Sequence, residues 1–259
     1  PSETAQPSAR KIPFVRHHRI LLLGRGSMHV FSCEQFQKLM DASGFSGPWH
    51  SLVDLGAGDG ATTAHVAHLF DRVYATDISA PMRWALAKRK FTVLELDKWH
   101  ETGPFNVILC LNLLDRCDRP NTLLRHLKSS LSPGGRLVVA LVLPFSPYVE
   151  IGERGDHKPS EYLPVKGNGL EGQIASLVDR VFAPLGLKCL AWSKLPYLCE
   201  GDLGSLSFCT FIRLSFRAPS FSFGMHRVFR LTLPLATIKC NCVCLGEADI
   251  TVFSRSYSS

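Results

Sequence analysis

The segment LVDLGAGDGATT (residues 52–63) joins the end of an apolar run to the start of a helical pattern, with three glycines between them. Gly56, Gly58 and Gly60 allow a sharp backbone turn and let a ligand approach with no side chain in the way. Taken literally, Gly56-x-Gly58-x-x-Ala61 also fits the G-x-G-x-x-G/A dinucleotide fingerprint. Two carboxylates argue against that reading. Asp59 lies inside the loop and Asp54 on the strand end beneath it, and both oppose the pyrophosphate that bare amides and helix N-termini normally attract. The loop suits a cationic ligand.

Outward from the loop, strands and helices alternate. HSLVDLG, RVYATD (72–77), FTVLEL (91–96), FNVILCL (105–111) and RLVVALVL (136–143) read as strands. Between them ATTAHVAHLF (61–70), SAPMRWALAKRK (79–90) and TLLRHLKSSL (122–131) read as helices, the second with Ser79 as N-cap and Pro81 in its first turn. Upstream, CEQFQKLMDA (33–42) puts Phe36, Leu39 and Met40 on one helical face; downstream come the helix LEGQIASLVDRVFAPLG (170–186) and the strand LKCLAWSKLPYLC (187–199). Near-continuous Val/Ile/Leu strands separated by helices predict a parallel sheet covered on both faces. Such sheets bind ligands at their carboxyl ends. The second strand ends at Asp77, 17 residues after Gly60, where a carboxylate can accept hydrogen bonds from ribose hydroxyls. S-adenosylmethionine has a ribose, no phosphate, and an ammonium and a sulfonium, so it fits this set of acids. After the third strand Asp97 and Trp99 offer a carboxylate and an indole where the adenine would lie.

The fourth strand runs into LCLNLLDRCDRP (109–120), with Asn112, Asp115, Arg116 and Asp118 within seven residues. Asn112, at a strand end beside the cofactor loop, is read as functional. Asp118, just before Arg119-Pro120, is read as a helix cap. Methyltransferases acting on a planar amide or exocyclic amine carry Asn/Asp-Pro-Pro-Tyr/Phe at this place. Asn112-Leu113-Leu114-Asp115 therefore disfavours adenine or glutamine as the methyl acceptor.

With 259 residues, 46% apolar and 20% charged, the chain is an ordinary globular one with room for a large α/β domain. Its net charge of +7 is too scattered to mark a nucleic-acid surface. No apolar run approaches the ~18–20 residues a bilayer span needs. The polar start, PSETAQPSARK, has no initiator Met, so a processed or truncated chain without its targeting signal is expected. The nine Cys are read mainly as buried free thiols, and C-x-C-x-C at Cys240, Cys242 and Cys244 lacks zinc-knuckle spacing. His65 and His68 share a helical face with no third ligand near, so no metal is expected. Past about residue 206 the character changes: 207–259 carry six Lys/Arg against two acids, four Cys and many Ser, with no helical period.

LGRGSMHVFS, LVDLGAGDG, LNLLDRCDRP, LVLPFSPYVE and LPYLCEGD together resemble the methyltransferase-like protein 9 (DREV) family, over about residues 19–203. The resemblance implies a class I, Rossmann-like methyltransferase sheet with helices on both faces and S-adenosylmethionine as donor. It also implies methylation of protein histidine at the pros nitrogen within His-x-His motifs. Asp54, Gly56 and Gly58 match the family's cofactor loop, and Asp77 stands where many members have Glu. Asn112, Asp115 and Tyr197 match its substrate-histidine pocket, while Arg25 in GRGSM is assigned to closing the site. A monomer is expected, in the endoplasmic reticulum or mitochondrion by the same resemblance. The organisation is then a polar leader (1–18), a methyltransferase domain (19–206) and a divergent tail (207–259). After Asp202 the family's Tyr-rich stretch and closing strand are replaced, and SFCTFIRLSF (207–216), with imperfect alternation, is the candidate for the vacant position. That departure keeps two alternatives open: an impaired splice variant that binds cofactor or partners only, and a small-molecule methyltransferase.

Overall fold

The structure, a computed structural model, describes residues 30–149, 155–200, 206–217 and 249–252, with side chains left aside at 195–200, 206–215, 217 and 249–252. Arg25 and the leader lie outside the described residues. Helix α1 (Cys33–Ala42) starts at a capping box: the Ser32 hydroxyl accepts from Gln35 N–H and the Gln35 side chain accepts from Ser32 N–H. Then follow β1 (Ser51–Leu55), α2 (Ala61–Ala67), β2 (Arg72–Thr76), α3 (Ala80–Lys88), β3 (Thr92–Val93), β4 (Phe105–Leu111), α4 (Pro120–Ser129) and β5 (Leu131–Leu143). Helix α5 (Gly169–Ser176) continues through a π-turn (Leu177–Phe182) and a 3-10 turn (Ala183–Leu185) into β6 (Lys188–Glu200), β7 (Leu206–Arg217) and β8 (Asp249–Val252).

The sheet order is β3-β2-β1-β4-β5-β7-β6-β8. Strands β3, β2, β1, β4 and β5 are parallel, whereas β7 runs antiparallel to both its neighbours. Alternate residues of each central strand feed opposite faces, as the pleat requires. Val53, Ile108, Cys110, Val139 and Leu141 pack under α4 and the α5 segment. Leu52, Val107, Leu109, Val138 and Ala140 pack with Phe36, Leu39 and Met40 of α1. Both faces are therefore dry, and the apolar runs are continuous for that reason.

One expectation changes, and the candidate closing strand is placed. FTVLEL pairs over Thr92–Val93 only, because β3 is an edge with β2 as its single neighbour. The closing position is occupied: β7 lies between β5 and β6, its register running from Leu137↔Phe216 to Leu143↔Thr210 on one side and from Lys188↔Arg217 to Glu200↔Leu206 on the other. Strand β7 thus starts where the composition changes, at Leu206. Phe216 is buried against Phe182, with ring centroids 4.0 Å apart.

Candidate active site

Strands β1 and β4 are neighbours, with β2 beyond β1 and β5 beyond β4, so the strand order reverses between them. A crevice at the carboxyl ends of the strands belongs there. The loop after β1 enters it through three residues with left-handed φ: Gly56 (68°), Gly58 (59°) and Gly60 (75°). Their surroundings differ. A Cβ on Gly60 would lie 2.7 Å from Leu86 Cδ2 and 3.0 Å from Phe91, so this glycine lets α2 pack on α3. A Cβ on Gly56 would lie 3.2 Å from Leu113, the residue after Asn112. A Cβ on Gly58 would meet nothing within 4 Å among the described residues, so there this glycine's side is open.

Asp54 is buried at the end of β1. The Thr63 hydroxyl donates to its Oδ2, while Oδ1 is buried with no hydrogen-bond partner among the described residues. Burial pushes this carboxyl up to about 7, against the lowering effect of Thr63, with the Asp77 charge adding to the rise. Asp77 accepts Gly58 N–H at 2.9 Å on Oδ2 and Ser79 N–H at 2.7 Å on Oδ1. It thus ties the glycine loop to the start of α3, where Ser79 is the N-cap residue and Pro81 lies in the first turn. Burial also raises the Asp77 carboxyl, opposed by those two N–H donors. Each of its oxygens retains a lone pair for a further donor.

Asp97 is exposed after β3, but Trp99 lies elsewhere than the sequence reading put it. The indole is 3% exposed, belongs to the core beneath α4 and stacks on Phe105 at 6.3 Å. Burial in a dry core suits so large a ring better than a solvent-side position. The apolar residues left exposed after β2 and β3 are instead Ile78 (56%) and Leu96 (47%). The sequence reading missed both, although each adjoins an acid or turn that it singled out.

Beyond β4, Asn112 takes φ 52°, a left-handed value Asn tolerates better than most residues, and its N–H donates to Ala140 at 2.9 Å. The turn carries Asp115 inward: it is 4% exposed, its Oδ1 is buried without a hydrogen-bond partner among the described residues, and Oδ2 lies 3.4 Å from Arg116 Nε. Burial raises its carboxyl, partly offset by Arg116. Asp118 does not cap α4, whose N-cap residue is Arg119; its carboxylate receives Ser160 instead. Tyr197 pairs with Cys209 in the β6–β7 ladder, and its side chain is outside the described ones. Among the described residues no cluster of His, Cys, Asp or Glu could hold a metal, and no helix is long and apolar enough to cross a membrane.

A parallel sheet of this order, with an acidic glycine loop at its switch point and a ribose-type acid at the end of β2, defines a class I S-adenosylmethionine-dependent methyltransferase. The open face of Gly58, the unpartnered Asp54 oxygen and the free lone pairs of Asp77 fit that cofactor. Over residues 16–212 the sequence matches the DREV methyltransferase family, and the chain belongs to it. Protein-L-isoaspartate O-methyltransferase of Photobacterium profundum is 31% identical over 99 residues, 34% of this chain and 44% of that protein. The highly reducing polyketide synthase lcsB of Purpureocillium lilacinum is 28% identical over 150 residues, 46% of this chain and 6% of that one. The chain spans less than half the length of either relative. The crystal structure of N-methyltransferase NodS from Bradyrhizobium japonicum WM9, in complex with S-adenosyl-L-homocysteine, superposes with a TM-score of 0.48 at 19% identity, covering 72% of this chain and 87% of that one.

Proposed function

We propose that the chain methylates protein histidine at the pros ring nitrogen within His-x-His motifs. The observation that carries this reading is Asp115: a buried carboxyl group with one oxygen unpartnered among the described residues, three residues from Asn112 and two from Leu113, which packs against Gly56 of the glycine loop. A buried acceptor lacking a donor is costly, and a substrate imidazole N–H supplies one. When bound, S-adenosylmethionine supplies an electrophilic methyl group on a sulfonium that leaves as a neutral thioether.

The chain's own residues have three tasks. The first is orientation: an acceptor at Asp115 or Asn112 on one ring nitrogen fixes the tautomer and aims the other nitrogen's lone pair at the methyl group. The second is charge. The imidazole becomes cationic as its nitrogen–carbon bond forms, and an ionised Asp115 stabilises that cation before the spare ring proton departs to it or to solvent. No strong base is required, because a free imidazole with a reference pKa of ~6.5 is mostly neutral at pH 7. The third is cofactor placement. Asp54 would hold the cationic end of the methionine moiety, Asp77 the ribose hydroxyls and Asp97 the adenine edge, with Ile78 and Leu96 available as apolar neighbours for the base. Arg25 and Tyr197 are assigned by resemblance alone to closing the pocket.

Methyl-labelled S-adenosylmethionine and a His-Ala-His peptide test the proposal: label enters that peptide and not its Ala-Ala-Ala counterpart. Cofactor binding measured by calorimetry, with no label entering any His-x-His peptide, would refute the enzyme reading for this chain. Label entering a small molecule in the absence of peptide would shift the substrate class.

A further inference from the structure

From the end of β5 the chain crosses back over the turn that carries Asn112 and Asp115, and residues 144–149 and 155–161 are joined to that turn at several points. Tyr148 N–H donates to the Asp115 carbonyl at 2.8 Å. Ser160 N–H and Glu161 N–H both donate to the Asp118 carbonyl, at 2.9 and 3.2 Å. The Asp118 carboxylate accepts the Ser160 hydroxyl, at 2.9 Å on Oδ1 and 2.8 Å on Oδ2, and Ser160 N–H at 2.9 Å. Within the crossing segment, Val149 N–H donates to the His157 carbonyl at 3.0 Å and His157 Nδ1 lies 2.9 Å from the Val149 carbonyl. The Tyr148 and His157 rings stack at 4.7 Å with an interplanar angle of 11°, and Tyr148 remains exposed.

The helix-cap role open to Asp118 is not used: the N-cap residue of α4 is Arg119, and the Glu161 carboxylate accepts Thr122 N–H in the first turn at 2.9 Å. The Asp118 carboxylate accepts both the N–H and the hydroxyl of Ser160, with Arg119 Nε 3.7 Å from Oδ2, and bonds to an ionised acceptor are the stronger kind. We propose that Asp118 is a positioning residue: by clasping Ser160 it holds the crossing segment on the substrate turn, so that Tyr148 forms a wall of the peptide site beside Asp115. The proposal rests on the peptide-histidine reading for its substrate and on geometry alone for the clasp.

Four variants separate these. In Asp118→Ala the KM for a His-Ala-His peptide rises about tenfold, the equivalent of ~1.4 kcal/mol, while kcat and cofactor affinity change little. Asp118→Asn, which keeps one acceptor oxygen, falls between Asp118→Ala and the unaltered protein. Ser160→Ala raises KM in the same direction, and the Asp118→Ala/Ser160→Ala double variant is no worse than Asp118→Ala, as expected when both act through one contact. Hydrogen exchange reads the clasp without any substrate: the amides of Tyr148 and Ser160 exchange about tenfold faster in Asp118→Ala, with β4 and α4 unchanged. Unchanged exchange at those amides, or a kcat loss with KM unmoved, overturns the proposal. If the unaltered protein methylates no His-x-His peptide, the functional reading fails and the exchange result alone decides the clasp.

Discussion

Replacing Asp54 by Asn probes the cofactor site without any substrate. One carboxylate oxygen is held by Thr63, the other has no partner, and burial lifts the group from its ordinary 3.8 to about 7. An acid whose folded value lies above its unfolded value keeps its proton longer in the folded state, so folding takes up a proton between roughly pH 4 and pH 7. This contribution is intact below the unfolded value, is lost as pH rises toward 7, and is flat above. A rise of about three units at 1.36 kcal/mol each amounts to about 4 kcal/mol. Urea denaturation across that range should show the unaltered protein losing several kcal/mol more stability than Asp54→Asn. Asp77 contributes in the same direction, because burial raises it too and the two charges repel. A cationic ligand over the loop favours ionised Asp54, so S-adenosylmethionine affinity should increase with pH up to about 7 and then level off. Asp54→Asn should bind more weakly and lose that slope. Parallel stability curves for the two proteins, together with equal pH slopes of binding, would refute the picture of a buried acid awaiting a cation.

Other substitutions test the remaining assignments. Gly58→Ala should fold with at most about 1–2 kcal/mol of left-handed strain yet lose cofactor affinity, whereas Gly60→Ala should lower the melting temperature through its clash with Leu86 and Phe91. Melting and calorimetry that fail to separate the two would contradict the division of labour in the loop. Asn112→Ala should reduce turnover about 100-fold with cofactor affinity nearly unchanged, and equal loss of both would move Asn112 into the cofactor's contacts. Trp99→Ala should cost about 3–5 kcal/mol of stability as a large core truncation while the folded protein binds cofactor normally. Selective loss of binding would return the indole to the adenine.

The central sheet and its cofactor loop were legible because each is a local pattern: apolar runs of strand length, and glycines with acids at strand ends. Asp54 and Asp77 belong to that pattern and meet on the loop. Trp99 was misplaced because its position after β3 says nothing about which way the ring turns, and a 3-10 turn (Trp99–Glu101) sends it into the core. Strand β7 was legible only as a candidate, because its place between β5 and β6 is set in part by pairing with Leu137–Leu143, far upstream in sequence. The Asp118–Ser160 contact joins residues 42 apart in sequence, and Asp118 beside Arg119-Pro120 carries the local signature of a cap. Thr63 looked like one more helical residue, although its hydroxyl holds the buried acid.

The central claim is tested most directly by reading where the methyl group lands. A His-Ala-His peptide is incubated with the full chain and S-adenosylmethionine, hydrolysed, and its methylhistidine isomers separated by chromatography against both standards. The account predicts pros-methylhistidine, formed about 100-fold more slowly in Asn112→Ala and also lowered in Asp115→Ala. Tele-methylhistidine, or no methylhistidine from a chain that binds the cofactor, would contradict it.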